Sequence, residues 1–165
     1  MLKIAVILSD IRSAYNVGSI LRSCDCFGVS EVIFAGITPY PKIRGDSRLP
    51  HMIQKQSMAI HKTALGAENT LNLCAFADTN QAINYAKQLG FCIASLEQSS
   101  DSVSLTGYSP CKKLAIILGN EVTGLSRQTQ EASDVIIELP MFGKKESLNV
   151  SVIAAIALYS LRLKI

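Results

Sequence analysis

Three polar, glycine-containing segments of the chain carry side chains that could bind a ligand. The first begins at Asn16, the second at Gly119, and the third contains Gly143. Each segment follows or adjoins the predicted end of a strand, and in parallel sheets ligands bind in loops outside the carboxyl ends of the strands. The sequence therefore predicts that the three segments contribute to one shared site.

The side chains of these segments favour hydrogen bonding and charge stabilisation. They are Asn16, Arg22, Glu121, Ser147 and Asn149. The chain has no Walker loop, no Gly-x-Gly-x-x-Gly after the first strand and no Gly-x-Ser-x-Gly. Both histidines lie outside the glycine-marked loops at strand ends. The sequence thus disfavours the common phosphate cradles and a Ser/His/acid triad.

Most of these side chains also have a purely structural interpretation. Asn16 is a suitable helix N-cap, and Ser147 and Asn149 could cap the last helix. Arg22 could be an ordinary surface charge, pointing away from the buried stripe of its helix in company with small residues. Glu121, which comes just beyond a buried strand, is harder to explain in this way.

Solid aliphatic runs alternate with amphipathic segments along the chain. Such a run predicts a strand that is buried on both faces. The predicted strands are residues 3–8, 31–35, 71–77, 91–96, 114–118 and 135–139. Helices are predicted from residue 16, over 80–89 and 126–133, and in a last segment that carries Ser147 and Asn149 in its first turn and continues to about residue 164. This alternation predicts an α/β fold with a mostly parallel sheet covered by helices on both faces.

The predicted last helix is apolar nearly all round. Its apolar residues run from Val150 to Leu163 and cover more than one face at a period of 3.6 residues. A helix of this kind must be buried on two sides. One side can be the protein's own sheet, and we expect another subunit to cover the other.

Length and composition indicate one domain over residues 1–165. The net charge of +3 is mild, so any nucleic-acid contact depends on a local patch. The longest apolar run, residues 152–159, is far shorter than the roughly 20 residues of a membrane span. No signal peptide is recognisable. We expect a cytoplasmic protein without a membrane partner.

The five cysteines form no Cys-x-x-Cys pair and lie far in sequence from His51 and His61. This spacing predicts no zinc or other metal site. The cysteines are instead interpreted as reduced thiols in the core of a cytosolic protein.

The most basic stretch of the chain is residues 42–62. It contains five Lys or Arg residues and both histidines against the single Asp46, and it overlaps a long loop predicted over residues 36–50. Loops of this size are usually functional or mobile. The stretch is either an ordinary solvated surface or a phosphate contact.

Taken together, three motifs resemble the signatures of the SpoU/TrmH family of RNA ribose methyltransferases, within the SPOUT superfamily. They are Asn16-Val-Gly18-x3-Arg22, Leu118-Gly-Asn-Glu121-Val-x-Gly124-Leu125 and Leu139-Pro-Met141-x-Gly143-x3-Ser147-Leu148-Asn149-Val150-Ser151. The motifs occur in the family's order, and the match spans essentially the whole chain.

The resemblance implies a C-terminal trefoil knot, S-adenosylmethionine bound in that knot, a homodimer, and methyl transfer to a ribose 2′-hydroxyl of RNA without a metal. It also implies that the cofactor pocket is lined by Leu96, Gly119, Leu139, Met141 and Leu148. The alternative is a knotted dimer that binds RNA without methylating it.

The resemblance further implies roles at the acceptor ribose. Arg22 is expected to clamp the neighbouring phosphate and to stabilise the developing alkoxide, because guanidinium is not easily deprotonated. Asn16 would orient Arg22 or the phosphate, and Glu121 would bind Arg22 or Asn16. Ser147 and Asn149 would support the ribose and its loop.

Recognition of the substrate is expected to lie within this one domain. Family members often carry an extra RNA-binding domain or a terminal extension, and neither is recognisable here. We therefore expect RNA to contact the dimer surface, with Lys42, Arg44 and Arg48 as the first candidates, or a partner protein to supply recognition. A compact domain favours transfer RNA slightly over ribosomal RNA.

Overall fold

The computed structural model describes residues 2–164; Met1 and Ile165, the ends of the predicted domain, lie outside the described residues. In chain order the elements are β1 (Lys3–Ser9), α1 (Ala14–Cys26), β2 (Glu31–Ala35), α2 (Pro50–Ala64), a 3-10 turn (Ala67–Asn69), β3 (Leu73–Phe76), α3 (Thr79–Gln88), β4 (Cys92–Leu96), β5 (Val103–Ser104), β6 (Lys113–Leu118), α4 (Arg127–Glu131), β7 (Val135–Glu138) and α5 (Val150–Arg162).

The strands form a single sheet in the order β3-β2-β1-β6-β4-β7-β5. Every pair of neighbouring strands is parallel. In the middle of the sheet, Val6 lies opposite Val32 on one side and Ile116 on the other. Because all strands point the same way, their carboxyl ends share one edge, called the carboxyl edge below.

Helices cover both faces of this sheet, as predicted. Successive side chains of a strand point to opposite faces. Val6 of β1 therefore belongs to one core cluster, with Leu21 of α1 and Leu158 of α5. Its neighbour Ile7 belongs to the other cluster, with Ile83 of α3. The α/β class is confirmed.

Three local predictions were wrong or incomplete. Helix α1 begins at Ala14 and is capped by Ser13, whose side chain accepts from the backbone N–H of Asn16. Asn16 therefore lies inside the first turn and is not the N-cap. Helix α2 lies within what was predicted only as a basic stretch; its apolar repeat is weak, and Pro50 begins it without a side-chain cap. Strand β5 was not predicted, because its two residues are too few to show a periodic pattern.

Helices α1 and α2 pack closely at Gly18. A Cβ atom at Gly18 would overlap the Ile60 carbonyl oxygen and the Thr63 hydroxyl of α2. Gly18 is buried, so it does not leave open space beside Arg22. The glycine of the first motif permits close packing of two helices.

Helix α5 is buried on one side and exposed on the other. Ala154, Leu158 and Leu161 are fully buried against the sheet and α1. Val152, Tyr159 and Leu163 are 44, 55 and 68% exposed on the opposite side. The prediction that a second subunit covers this side stays a prediction.

The end of α5 is tied to distant parts of the chain through backbone carbonyl groups. Arg162 donates to the carbonyl oxygens of Leu2, Phe27 and Gly28. Lys164 donates to those of the 105–108 turn at 2.6–2.9 Å. The chain after β4 therefore contacts the C-terminal segment directly, a placement compatible with the predicted knot, which itself stays a prediction.

Cysteine thiols are free throughout the described residues. Cys24 is buried, and burial raises the pKa of its thiol. Cys26 is exposed, so the interpretation of every cysteine as a core thiol was wrong for this residue. Within residues 2–164 no three potential metal ligands of the His, Cys, Asp or Glu type cluster, and no helix has the length and hydropathy to cross a bilayer.

We predict that Gly18→Ala lowers the free energy of unfolding by about 1–3 kcal/mol or more, because the added methyl group forces α1 and α2 apart. Urea denaturation followed by circular dichroism measures the change. Gly107→Ala is the matched control, since the nearest atom to its Cβ position is 3.8 Å away. Equal stability of the two variants would contradict the close helix packing.

Candidate active site

Two adjoining cavities lie at the carboxyl edge of β4, β6 and β7. The larger is about 430 Å³ and is lined by residues 96–97, 118–122, 124, 147–150 and 153. The smaller, of about 100 Å³, lies between the end of β4, Leu139 and Met141. Both cavities contact Leu96, Glu97 and Ser147. The second and third motifs therefore meet at one place.

The five predicted cofactor residues all line these cavities. Leu96, Gly119 and Leu148 line the larger one. Leu96, Leu139 and Met141 line the smaller one. The structure thus brings these residues together from three strand ends, as the site prediction requires.

The Glu121 carboxylate joins the second motif to the first. Its oxygens accept hydrogen bonds from the backbone N–H groups of Arg12 at 2.9 Å and Ser13 at 3.1 Å. The Asn16 side-chain amide also donates to it, at 2.9 Å. Of the two partners that were predicted for Glu121, Asn16 is therefore the one found.

Glu121 is an acid whose charged form is favoured. Partial burial raises the pKa of its carboxyl group, but the hydrogen bonds from Arg12, Asn16 and Ser13 outweigh this effect and lower the pKa below its usual value. The group is thus a fixed negative charge at neutral pH, next to the larger cavity.

Asn149 extends the same network to the third motif. Its side-chain amide donates to the side-chain oxygen Oδ1 of Asn16 at 3.2 Å. The Asn149 side-chain oxygen Oδ1 accepts from the Ser151 N–H at 2.8 Å, which makes Asn149 the N-cap of α5. The structural and functional interpretations of Asn149 are therefore compatible. Two consecutive hydrogen bonds thus join Asn16 to Glu121, which is 105 positions away in sequence, and to Asn149, which is 133 positions away. The prediction that Ser147 and Asn149 lie in the first turn of α5 was wrong, because the helix begins at Val150.

Ser147 and Arg22 differ from the other predicted residues, because neither side chain has a hydrogen-bond partner within residues 2–164. Ser147 lines both cavities with its hydroxyl available. Arg22 is exposed on α1, nearly two turns after Asn16, and lines neither cavity. The structure therefore places Ser147 in the site and leaves Arg22 outside the cavities.

A tight turn at residues 119–124 forms one wall of the larger cavity. Gly124 donates to the Asn120 carbonyl at 3.0 Å, and a Cβ atom at Gly119 would lie 2.7 Å from the Gly124 backbone. Gly119 is thus required for the turn itself. The Asn120 side-chain amide donates to the backbone carbonyl of Asp10 at 2.8 Å and so fixes this turn to the end of β1.

Sequence reasoning missed Glu97 and the pair Arg12–Ser13. Glu97 lines both cavities, and its carboxylate accepts from the Leu125 N–H at 2.8 Å. Its position directly after a predicted strand was the available signal. Arg12 and Ser13 act through backbone N–H groups, which a search for reactive side chains does not detect.

The three predicted RNA contacts have different surroundings. Lys42 and Arg44 are exposed. Arg48 is held inside its loop: its guanidinium pairs with Asp46 and lies 3.4 Å from the Tyr40 ring centroid. The hydrogen bonds from Arg48 lower the pKa of Asp46 to about 2. A structural role accounts for Arg48, so we leave it out of the RNA contacts proposed below.

An α/β domain that gathers loops around a cavity at the carboxyl ends of parallel strands belongs to the broad class of cofactor- and nucleotide-binding proteins with their sites at this edge. Comparison with protein families narrows this class. The model of the SpoU rRNA methylase family matches residues 3–159. The chain belongs to that family.

Similar proteins include enzymes that act on two kinds of RNA. The chain is 34% identical over 158 residues to the 23S rRNA (guanosine-2′-O-)-methyltransferase RlmB of Nitrosomonas europaea, covering 93% of this chain and 54% of that protein. It is 28% identical over 161 residues to the tRNA (guanosine(18)-2′-O)-methyltransferase of Borreliella burgdorferi, covering 96% of this chain and 66% of that protein.

A solved structure agrees with the fold. The AdoMet-bound rRNA methyltransferase of Sinorhizobium meliloti aligns with a TM-score of 0.79 at 22% identity, covering 98% of this chain and 56% of that one. The chain therefore spans about half to two thirds of the length of these relatives.

We predict that Glu121→Gln lowers the free energy of unfolding by about 1 kcal/mol at neutral pH, because it weakens three hydrogen bonds to a charged acceptor. The folded-state pKa of Glu121 is lowered, so its charge stabilises the fold above the unfolded-state pKa of about 4.3. This contribution is lost as the pH falls through the folded-state pKa.

The difference in the free energy of unfolding between the wild-type protein and Glu121→Gln should accordingly shrink as the pH falls below about 4. Urea denaturation at several pH values measures it. Glu131→Gln, at an exposed acid on α4, is the matched control and should change little. A difference that persists unchanged at low pH would contradict the importance of the charge.

Proposed function

We propose that this protein transfers a methyl group from S-adenosylmethionine to a ribose 2′-hydroxyl of RNA. The observation that carries the proposal is the hydrogen-bond chain from Glu121 through Asn16 to Asn149, which joins all three motifs beside the larger cavity. Membership of the SpoU family and the names of the relatives support the same activity.

The cavities suit the proposed cofactor in size and chemistry. The larger cavity, of about 430 Å³, falls within the range of about 300–1,000 Å³ for small-molecule sites, and the smaller one adds about 100 Å³ beside it. Leucine side chains at positions 96, 118 and 148 offer apolar surface for an adenine ring. Glu97 and Glu121 also line the larger cavity, and their carboxylates would offset the positive charge of the sulfonium. The bound cofactor would supply the electrophilic methyl group.

The protein's own contribution is placement of the acceptor. Asn16 and Asn149 use their side-chain amides to hold the loops together. Ser147 and Arg22 keep their side chains available, so we assign them to the acceptor: Ser147 to the ribose and Arg22 to the adjacent phosphate and the developing alkoxide. A displacement at an activated methyl group mainly requires alignment of the two reacting atoms. The proposed reaction therefore requires no metal.

We also propose a homodimer with α5 in its interface. Val152, Tyr159 and Leu163 form an exposed apolar stripe on the side of α5 away from the sheet. A second copy covering this stripe would remove it from water. Because α1 packs against α5, the exposed Arg22 would then lie near the interface.

A labelling experiment can decide whether the substrate is tRNA or rRNA. Relatives are named for both 23S rRNA and tRNA; the sequence favoured tRNA. Purified protein incubated with tritiated S-adenosylmethionine and separate tRNA and rRNA fractions from cells lacking it should label one fraction. Titration calorimetry with S-adenosylmethionine separates this enzyme from an RNA-binding module, which would bind RNA and no cofactor.

We predict that Arg22→Ala lowers methyl transfer at least about 100-fold while leaving cofactor affinity unchanged, because the guanidinium acts only on the acceptor. Single-turnover labelling and calorimetry measure the two quantities. Arg127→Ala on α4, where the side chain is 91% exposed, is the matched control. Wild-type turnover by the Arg22 variant would remove this residue from the mechanism.

We predict that the double variant Lys42→Ala, Arg44→Ala weakens RNA binding and flattens its salt dependence. Loss of two phosphate contacts should lower the slope of log K against log salt by about 1.4 for single-stranded RNA. Lys3→Ala with Lys112→Ala removes the same charge from the opposite edge of the sheet and should leave the slope unchanged. Equal slopes in both double variants would exclude the loop as an RNA contact.

A further inference from the structure

The loop between β7 and α5 presents an aromatic ring and two cations to solvent. Phe142 is 97% exposed, the most exposed large apolar side chain within residues 2–164. Lys144 and Lys145 follow it and are also exposed. Isolated exposed apolar side chains are common, but an unsupported phenyl ring beside two lysines combines the two chemical features that bind single-stranded nucleic acid.

The ends of this loop are fixed against the candidate active site. Leu139 and Met141 line the smaller cavity before Phe142, and Ser147 lines both cavities after it. Between them, the Gln98 side-chain amide donates to the Glu146 carbonyl at 2.8 Å. Met141 is partly buried while its neighbour Phe142 is exposed. The loop thus forms a fixed wall whose outer side carries the ring.

The ring is close enough to the site to contact the substrate strand. Ser147 is five positions after Phe142, and a fully extended chain over five positions spans at most about 18 Å. The ring is therefore within reach of a nucleotide adjoining one whose ribose contacts Ser147.

We propose that Phe142 is a stacking platform for an unpaired base next to the methylated nucleotide, and that Lys144 and Lys145 contact the flanking phosphates. The inference rests on the proposed function and adds to it that the target lies in a single-stranded or loop region. Aromatic stacking tolerates any base, because every base has a π face, and unpaired loops expose such bases whereas an RNA duplex does not.

Charge argues against a second copy of the chain as the partner of this ring. A twofold interface places the same surface of two copies against each other. It would bring four lysines together with only Glu146 of each copy to offset them. The polyanionic backbone of RNA is the complementary surface.

The absence of tryptophan from the chain allows a direct test. The Phe142→Trp variant contains a single tryptophan, whose emission can be excited selectively over that of the five tyrosines. We expect a 12-nucleotide oligoadenylate to quench this emission saturably at low salt. Leu89→Trp is the matched control, since Leu89 is an exposed side chain just before β4, at the opposite edge of the sheet. Its emission should not change.

The same oligoadenylate carrying a fluorescent label shows by fluorescence anisotropy whether each variant binds it, and this result is compared with the quenching. Binding with quenching of Phe142→Trp alone supports the proposal. Binding without this quenching, or equal quenching of both variants, overturns it. The measurement needs no cofactor, so failure to bind S-adenosylmethionine would contradict the proposed function and leave the stacking result standing.

Activity on RNA from cells lacking the protein provides a second readout. Phe142→Ala should raise KM about 10- to 100-fold with kcat largely kept, and Phe142→Tyr should restore KM whereas Phe142→Leu should not. Light scattering should give all four proteins the same mass. A lower mass for Phe142→Ala would overturn the proposal by placing the ring between subunits, and an unchanged KM would overturn it as well.

Discussion

The negative charge of Glu121 organises the candidate active site. It lies just after β6, yet its hydrogen bonds reach back to the loop between β1 and α1. β1 and β6 are neighbours in the sheet, so the sheet brings the two loops close and the carboxylate joins them. The Asn16 side chain, held in one orientation by Glu121, then presents its Oδ1 oxygen to the Asn149 side-chain amide. The first turn of α1 and the start of α5 are both positioned through this one acid.

Much of the architecture could be predicted because it depends on strong local patterns. The aliphatic runs gave every strand longer than two residues to within two residues, since a strand buried on both faces admits few polar side chains. Asn149 was recognisable as a possible cap from its place before an apolar helix. Leu139 and Leu148 were placed from motif positions and Leu96 from its place at the end of a predicted strand, and all three line the cavities.

Other features depend on contacts that the sequence does not encode locally. Helix α2 buries only Ile60 and Ala64 fully, so its apolar pattern is too weak to distinguish it from a loop. Gly18 resembles a flexible or ligand-binding glycine in sequence, and only the position of α2 explains it. Arg48 looked like a free cation because its partners, Asp46 and the Tyr40 ring, are recognised only once the loop is folded. The anchoring of Glu121 by backbone N–H groups has no side-chain signature at all.

The contact between Arg162 and the Leu2 carbonyl, at 2.6 Å, brings the two ends of the described chain together. Helix α5 begins beside the cavities and ends at Arg162, whose guanidinium contacts the segments that precede β1 and β2, at the other edge of the sheet. A fluorescent label, a surface tether or a fused protein attached at either end would leave the carboxyl edge accessible. The same proximity would let a short peptide join the two ends, which makes the domain a suitable subject for circular permutation.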